Sequence, residues 1–386
     1  MPSIPVLRRV AAPDAVSIRT RQNRAPSYAE LRPVKGPSPQ SFPIYEHLVD
    51  DLVDDAPRTY SAVTAHVCAV ASGWAYADAD TAAAMTARLG LERAWYREVS
   101  VYNDAMFIAS NALLIQSACG RVAILCYRGT EPRNFINWLT DADVNPVKLP
   151  VKGGAPEELV HGGFYRNLRA TWHEVIAGLK RATAGKPVVD DADEQLKPLQ
   201  ALYITGHSLG AAMAALAAMR IARDPVYDAL FGPVLRAVYT FGQPLLGNRA
   251  FAKACRSDAF LEHAVFRHVY ADDVVPRLPP TTTGTFEHFG REYRAEPDGR
   301  WRESRTSVVQ VRDIVLSALV VPVLAFVGKQ LQFLKRFRFP YSWYDHSPTF
   351  YIAASTPPGV GSEFERSTSE LTSAARGPEA IAAAHR

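Results

Sequence analysis

Blocks of apolar residues recur along the middle of the chain, with two kinds of spacing. Some blocks have the spacing of one helix face, and others are short apolar runs of the kind that form buried strands. The predicted helices are 61–76, 80–89, 164–180 and 209–223, and the predicted strands are 106–116, 122–127, 202–205, 234–241 and 265–270. The first two strands form a hairpin around Cys119 and Gly120, and strands then alternate with helices. This pattern predicts an α/β fold with a mostly parallel central sheet and helices on both faces.

The two ends of the chain lack this pattern. Residues 1–44 are rich in Pro and Arg, and they predict a mostly disordered arm of which only a short piece would attach to the domain. Residues 355–386 mix Ser, Thr, Pro, Gly and Ala, and they predict a flexible tail. One large domain over residues 45–354 is therefore expected, with an apolar and basic insertion at about residues 306–340.

Composition narrows the class of protein. Apolar residues make up 48% of the chain, enough for a sizeable core, and the net charge of +4 is too small to indicate a nucleic-acid-binding protein. The four cysteines form neither a CxxC pair nor a disulfide framework. The arginines near the N-terminus are not followed by the continuous apolar segment of a secretory signal peptide. We therefore expect a cytoplasmic protein with reduced thiols. The protein would be either dissolved in the cytoplasm or attached peripherally to a membrane.

The segment 206–210 has the sequence GHSLG and contains the candidate nucleophile, Ser208. It lies directly after a predicted strand and before a predicted helix, which is the context that a nucleophile elbow requires. The two glycines leave room for the backbone in a tight turn, and the serine stands at a helix N-terminus, where negative charge is stabilised. A glycine-rich turn without chemistry is the alternative. Adjacent side chains point apart at such a turn, so a structural role is expected for His207.

The sequence resembles the fungal-type (class 3) lipase family at several segments, in the order of that family. The segments are CYRGT at 126–130, NWLTD at 137–141, HGGF at 161–164, GHSLG at 206–210, YTFGQPLLGN at 239–248 and DVVPRLPP at 273–280. With the flanking elements they span about residues 61–352. The resemblance implies an α/β-hydrolase fold and a serine esterase with Ser208 as its nucleophile.

The resemblance also implies an oxyanion hole and a lid. The backbone N–H groups of Thr130 and Leu209 would stabilise the oxyanion, and loss of one such donor typically costs about 3–4 kcal/mol of transition-state stabilisation. The family has a short helical lid after the oxyanion loop. Phe135, Trp138 and Leu139 have the i, i+3, i+4 spacing of one helix face in this region. We expect these three residues to form the apolar side of a substrate-binding lid, with a core-packed helix as the alternative.

A catalytic triad also needs a carboxylate that orients a histidine and a histidine that takes the serine proton. Their chain order in α/β-hydrolases is Ser, Asp, His. Asp272 and Asp273 both follow a predicted strand, and the family's Asp followed by two aliphatic residues and Pro selects Asp273. His346 resembles the family's closing Asp-His element, whereas His288 matches a family element that is not the base. We predict Asp273 as the acid and His346 as the base, with Asp272 and His288 as the alternatives.

The insertion before the predicted base departs from compact members of the family. Residues 314–327 carry no charge, but a helix of this length spans only about 21 Å, too short for a hydrocarbon core of about 30 Å. Residues 329–339 interleave Lys and Arg with Leu and Phe. Residues 314–339 therefore predict adsorption to an anionic membrane or a lipid-droplet surface. The alternatives are a buried helix with a solvated basic edge, a wall of the acyl pocket and a subunit contact.

These features together predict a serine carboxylic-ester hydrolase of the acylglycerol lipase type. Ser208, His346 and Asp273 would act on a lipid ester through an acyl-enzyme intermediate. No His/Asp cluster has metal-ligand spacing, so neither a metal nor another cofactor is expected, and oligomeric state is not predicted. The alternatives are a phospholipase or acyltransferase that uses the same triad on membrane lipids, and a non-catalytic lipid-binding protein that kept the fold.

Overall fold

The computed structural model describes residues 17–31, 42–103, 108–130, 146–149, 154–279, 284–296, 300–306, 342–358 and 360. Its strands are β1 (Ser17–Arg24), β2 (Trp95–Asn103), β3 (Ile108–Gln116), β4 (Val122–Tyr127), β5 (Pro146–Lys148), β6 (Leu159–His161), β7 (Ala201–His207), β8 (Leu235–Phe241), β9 (Gly247–Asn248), β10 (Val265–Val269), β11 (Phe286–Glu287), β12 (Arg291–Ala295) and β13 (Trp301–Ser304). Its helices are α1 (Leu48–Asp54), α2 (Ala62–Trp74), α3 (Ala79–Leu89), α4 (Gly162–Thr183), α5 (Leu209–Arg223), α6 (Pro225–Phe231), α7 (Arg249–Arg256), α8 (Ala259–Ala264) and α9 (Pro348–Ser355). The predicted helices and strands are all present, with small shifts at their ends.

The centre of the large sheet is parallel. The order of its strands is β1-β2-β3-β4-β7-β8-β10-β12-β13, and neighbouring strands from β4 to β12 run parallel. The strands at both margins pair antiparallel, including the predicted hairpin of β3 and β4. β4 and β7 are buried along their whole length because they are mainly apolar and lie between two layers of helices. This topology confirms the predicted α/β-hydrolase fold.

Helices cover both faces of the sheet, and each face has its own apolar core. On one face, α4 and α5 pack on the sheet with side chains such as Leu168 and Leu216. On the other face, α2, α3 and α9 contribute side chains such as Val67 and Ile352. Because α5 is rich in alanine, it packs close to the sheet, and its first turn follows directly from β7. The cores thus hold the junction of β7 and α5 in place.

The N-terminal region contains a strand that apolar spacing does not predict. Ser17–Arg24 forms the edge strand β1, which pairs residue by residue with β2. Its side chains are almost all exposed, so apolar spacing could not reveal it. The Gln22 side chain holds the strand to Asp190 through two hydrogen bonds of 2.9 and 2.7 Å. Ser17–Arg24 is thus a short piece of the predicted arm that attaches to the domain, as the prediction allowed, and residues 1–16 lie outside the described residues.

Strand β2 is also missing from the predicted elements. Its sequence, WYREVSVYN, contains Arg97, whose side chain is only 4% exposed. Arg97 pairs with Glu174 and, at 2.7 Å, with Asp190. A charged side chain is rarely buried unless it is paired, so the ion pairs explain why a polar residue occupies a core position here.

Several predicted features lie outside the described residues. These are the lid residues Phe135, Trp138 and Leu139, the insertion at 314–339 and most of the tail from residue 355. Within the described ranges, none of the helices is both long and apolar enough to cross a membrane.

Candidate active site

The predicted nucleophile occupies a sharp turn between β7 and α5. Ser208 has φ 60° and ψ −127°, a backbone conformation that costs a non-glycine residue about 1–3 kcal/mol. A Cβ atom built on Gly206 would collide with the backbone of Gly210, and one built on Gly210 would collide with the carbonyl of Tyr127. Both glycines are therefore required for β4, β7 and α5 to approach this closely. The Ser208 amide donates to the carbonyl of Phe241 at 3.0 Å, which ties the turn to β8.

The predicted acid is held from several sides at the carboxyl end of β10. The Asp273 amide donates to the carbonyl of Tyr270 at 3.0 Å, and Oδ1 accepts from the amide of Val275 at 2.9 Å. Oδ2 accepts from the hydroxyl of Tyr351 at 2.5 Å and contacts Nδ1 of His346 at 2.8 Å. Asp273 is 1% exposed, so these bonds replace the water that a buried carboxylate loses.

The predicted base lies in the short 3₁₀ turn Tyr344–His346 just before α9. An isolated parallel β-bridge between Asp273 and Ser342 fixes the start of the segment that carries His346. The Val274 amide donates to the carbonyl of Ser342 at 3.3 Å, and the Ser342 amide donates to the carbonyl of Asp272 at 2.8 Å. Gly242, at φ +59°, lies against the His346 ring, and a Cβ on it would come within 2.8 Å of Nδ1 and Cε1. The structure thus brings residues that are 73 positions apart into one hydrogen-bonded pair.

The alternative acid and base occupy different surroundings. Asp272 is exposed, and only its backbone takes part in the bridge to Ser342. His288 is buried, and its Nε2 contacts the carbonyl of Pro276 at 2.7 Å. Burial, and then the charge of Arg267, lower the pKa of His288 well below the usual histidine value. The geometry therefore favours Asp273 and His346.

The candidate oxyanion loop lies next to the nucleophile. Thr130 ends the described segment after β4 and is half-buried, and a Cβ on the preceding Gly129 would lie 3.1 Å from Cβ of Ser208. Leu209 is the first residue of α5, where amide N–H groups lack a partner within the helix. Thr130 thus lies after β4, and Leu209 directly follows the nucleophile at the end of β7. Within the described part of the chain, no group of three or more His, Cys, Asp or Glu side chains is placed to hold a metal ion.

Comparison with known proteins shows which family the region around this site is similar to. A family model described as lipase (class 3) matches residues 124–283, which include Thr130, Ser208 and Asp273. Over this segment, which is less than half of its length, the chain matches the class 3 lipase family. This confirms the resemblance drawn from the sequence segments.

Three similar proteins illustrate the extent of the match. Secreted mono- and diacylglycerol lipase 1 of Fusarium solani is 29% identical over 187 residues, which cover 48% of this chain and 48% of that protein. Triacylglycerol lipase OBL1 of Nicotiana tabacum is 43% identical, over 43% of this chain and 40% of that protein. The lipase–propeptide complex of Rhizomucor miehei is 22% identical with a TM-score of 0.48, over 76% of this chain and 81% of that chain. The chain therefore matches about half or less of the length of its relatives in sequence.

The expectation of a cytoplasmic protein is wrong. The relative from Fusarium solani is a secreted lipase. The free cysteines do not indicate whether the protein resides in a reducing compartment. Cys68, Cys126 and Cys255 are buried, and burial raises the pKa of each thiol, so they are unreactive whatever the redox conditions outside.

Two tyrosines complete the surroundings of the predicted triad. Tyr351 donates to Asp273, and its hydroxyl also accepts from the amide of Tyr270 at 3.2 Å. Tyr76 places its hydroxyl 2.8 Å from Nδ1 of His207 and close to Gly129. Burial raises the pKa of both tyrosines, so their hydroxyls stay protonated. Tyr351 follows five residues after His346 of the closing Asp-His element, whereas none of the segments that resemble the family includes Tyr76.

Proposed function

We propose that this protein hydrolyses carboxylic esters of lipids, with Ser208 as nucleophile, His346 as general base and Asp273 as the orienting acid. The observation that carries the proposal is the 2.8 Å contact between Nδ1 of His346 and Oδ2 of Asp273, with the ring of His346 4.5 Å from that of His207, the residue before the serine at φ 60°. A buried Asp-His pair next to a strained serine at a helix N-terminus fits acyl transfer.

The first half of the reaction forms an acyl-enzyme. The Ser208 hydroxyl attacks the ester carbonyl carbon while His346 accepts the hydroxyl proton at Nε2. Asp273 keeps Nδ1 of His346 protonated, so that Nε2 is the basic nitrogen, and its negative charge stabilises the imidazolium. The backbone N–H groups of Thr130 and Leu209 would donate to the oxyanion of the tetrahedral intermediate. His346 then gives the proton to the leaving alkoxide.

The second half releases the acid. Water attacks the acyl carbonyl, and His346 accepts a proton from the water as the new bond forms. Collapse of the intermediate frees the carboxylic acid and returns the proton to Ser208. Ser208, Asp273 and His346 are each 2% exposed or less, so the reaction requires access for substrate through the surrounding segments. A lid that contains Phe135, Trp138 and Leu139 would supply that access.

Acylglycerols are the substrate class that we propose. The relative from Fusarium solani is a mono- and diacylglycerol lipase, and that from Nicotiana tabacum is a triacylglycerol lipase. We further propose that residues 314–339 contact the lipid surface that presents the substrate. The support for this contact is the sequence itself, in which uncharged residues precede a basic and aromatic stretch.

Ester hydrolysis tests the proposal directly. Purified protein is assayed on p-nitrophenyl esters of increasing chain length, and Ser208→Ala is the matched variant. We expect wild-type turnover to increase with chain length and the variant to lose at least about 10³-fold in kcat. Wild-type and variant proteins of equal activity would refute the assignment of the nucleophile.

Labelling and lipid assays separate the alternatives. Ser208 should react with a fluorophosphonate, and a non-catalytic lipid-binding protein would not. Vesicles that contain either diacylglycerol or phosphatidylglycerol then distinguish an acylglycerol lipase from a phospholipase. Co-sedimentation with the same vesicles measures whether the surface contact depends on anionic lipid, and turnover of the phospholipid alone would contradict the proposed substrate class.

A further inference from the structure

His207 lies against the predicted base. The imidazole rings of His207 and His346 have centroids 4.5 Å apart and planes inclined by 32°. On other sides of the His207 ring lie the Tyr76 hydroxyl, 2.8 Å from Nδ1, and the ring of Tyr351, edge-on at 5.5 Å. His207 is 2% exposed. The ring is therefore fixed by Tyr76 and packed on the base and on the tyrosine that bonds the acid.

This packing supplies a constraint that the bond to the acid lacks. The hydrogen bond that Nδ1 of His346 donates to Asp273 fixes one point of the His346 ring but still permits the ring to rotate about that axis. The ring of His207 restricts the plane of the His346 imidazole. Gly242 lies against the His346 ring and leaves no space for that ring to shift toward it. A general base must be held within about 0.5 Å and about 10–20° of its productive geometry, so the plane of the ring affects the rate.

The charge of His207 also suits this position. Burial, and then the proximity of His346, lower the pKa of His207 well below the usual histidine value, so the ring is neutral. The groups around it are the His346 ring and the hydroxyl-bearing rings of Tyr76 and Tyr351. When the serine proton moves, His346 becomes an imidazolium, and a neutral aromatic face attracts a cation. A charged His207 would instead repel it.

We propose that His207 is a positioning residue for ester hydrolysis, which fixes the plane of the His346 ring and stabilises its imidazolium through an uncharged aromatic face. This inference rests on the function proposed above. It assigns His207 no proton transfer, because its Nδ1 is engaged by Tyr76 and its role passes through His346.

The chain contains a close internal control. His66 is also buried, and its Nδ1 lies 2.8 Å from the hydroxyl of Tyr45. The ring geometries of the two pairs are nearly the same, with centroids 5.9 Å apart at 75° for Tyr45 and His66, and 5.7 Å apart at 69° for Tyr76 and His207. His66→Ala therefore removes a comparable buried imidazole and a comparable bond without touching the base.

The test compares His207→Ala, His207→Phe and His66→Ala in the full chain. Each protein is assayed for kcat and KM on a p-nitrophenyl ester, for the rate of fluorophosphonate labelling of Ser208, and for Tm. We expect His207→Ala to lose about tenfold in kcat and in labelling rate with KM nearly unchanged, because a cation–π contact of about this strength is lost. His207→Phe should recover most of that loss, since it restores an aromatic face. His66→Ala should lower Tm but leave kcat within about twofold.

The outcomes separate this inference from the proposed function. Equal kcat for His207→Ala and His66→Ala at matched folded fraction, or no recovery in His207→Phe, would overturn the role of His207 while ester hydrolysis stands. A wild-type protein that neither hydrolyses esters nor reacts with the fluorophosphonate would refute both proposals.

Discussion

Tyr351 is the residue through which helix α9 reaches the predicted acid. Its hydroxyl donates to Oδ2 of Asp273 and accepts from the amide of Tyr270, so it connects α9 to the end of β10. Tyr351 is 1% exposed and lies in the same core as α2. One hydroxyl therefore contributes both to the packing of α9 and to the orientation of the carboxylate.

Replacement of Tyr351 by Phe should separate these two contributions. The ring stays, but Asp273 loses a hydrogen bond to its charged form, a loss of about 1.5–3 kcal/mol in comparable cases. We expect kcat/KM to fall about tenfold and Tm to fall by a few degrees. Tyr344→Phe is the matched control, because Tyr344 is 72% exposed and lies in the 3₁₀ turn that carries His346. Unchanged activity in Tyr351→Phe would show that the 2.5 Å contact does not orient the acid.

Residues of the candidate site differ in how far the sequence alone could locate them. Ser208 was predictable because the strand, the turn and the helix that place it are contiguous. Asp273 and His346 needed the family segments, since the bridge at Ser342 that joins them is a tertiary feature. The pairing of Tyr76 with His207 was not predictable, because it links residues 131 positions apart with no shared spacing. Long-range contacts of this kind produce no periodic pattern in the amino-acid sequence.

At the scale of elements, the edge strand β1 depends on its neighbours. Its residues SIRTRQNR show neither apolar alternation nor buried positions. Pairing with β2, the Gln22–Asp190 bonds and the salt bridge of Arg21 with Asp80 hold it to the sheet. Central strands such as β4 were predicted because a buried strand must be apolar, whereas an edge strand is specified by its partners.

Gln22→Ala should therefore loosen β1 without affecting the site. Two hydrogen bonds to Asp190 are lost, and we expect the free energy of unfolding to fall by about 1–2 kcal/mol. Hydrogen exchange of the β1 amides should accelerate more than exchange in β7. Thr20→Ala, an exposed position on the same strand, is the control and should change neither quantity. Uniform acceleration across the sheet would contradict a local role for this bond.

At the scale of the whole molecule, buried histidines make stability depend on pH. Burial lowers the pKa of His66 to about 4 and that of His268 to about 3, and it lowers the pKa values of His207 and His288 as well. The folded protein therefore keeps these rings neutral, whereas the unfolded chain protonates them below about pH 6.5. The unfolded state binds more protons in acid, so the free energy of unfolding decreases as pH falls.

We expect a steep loss of stability between pH 6.5 and pH 5. Each such histidine contributes a loss of about 2 kcal/mol at pH 5, and four together approach the total stability of a typical domain. Tm measured across this range should fall continuously. His66→Gln should reduce the slope by about a quarter, because one of the four titrating groups is removed. A Tm that is constant from pH 7 to pH 5 would contradict the neutral state of the buried rings.

The bridge between Ser342 and the loop of Asp273 has a consequence for how this scaffold can vary. Two main-chain bonds fix the position of Ser342, four residues ahead of His346. Because Ser342 is fixed in this way, the position of the His346 imidazole does not depend on the length or composition of the residues between Thr306 and Ser342. The residues between Thr306 and Ser342 can therefore be exchanged for others while the placement of His346 beside Asp273 stays the same.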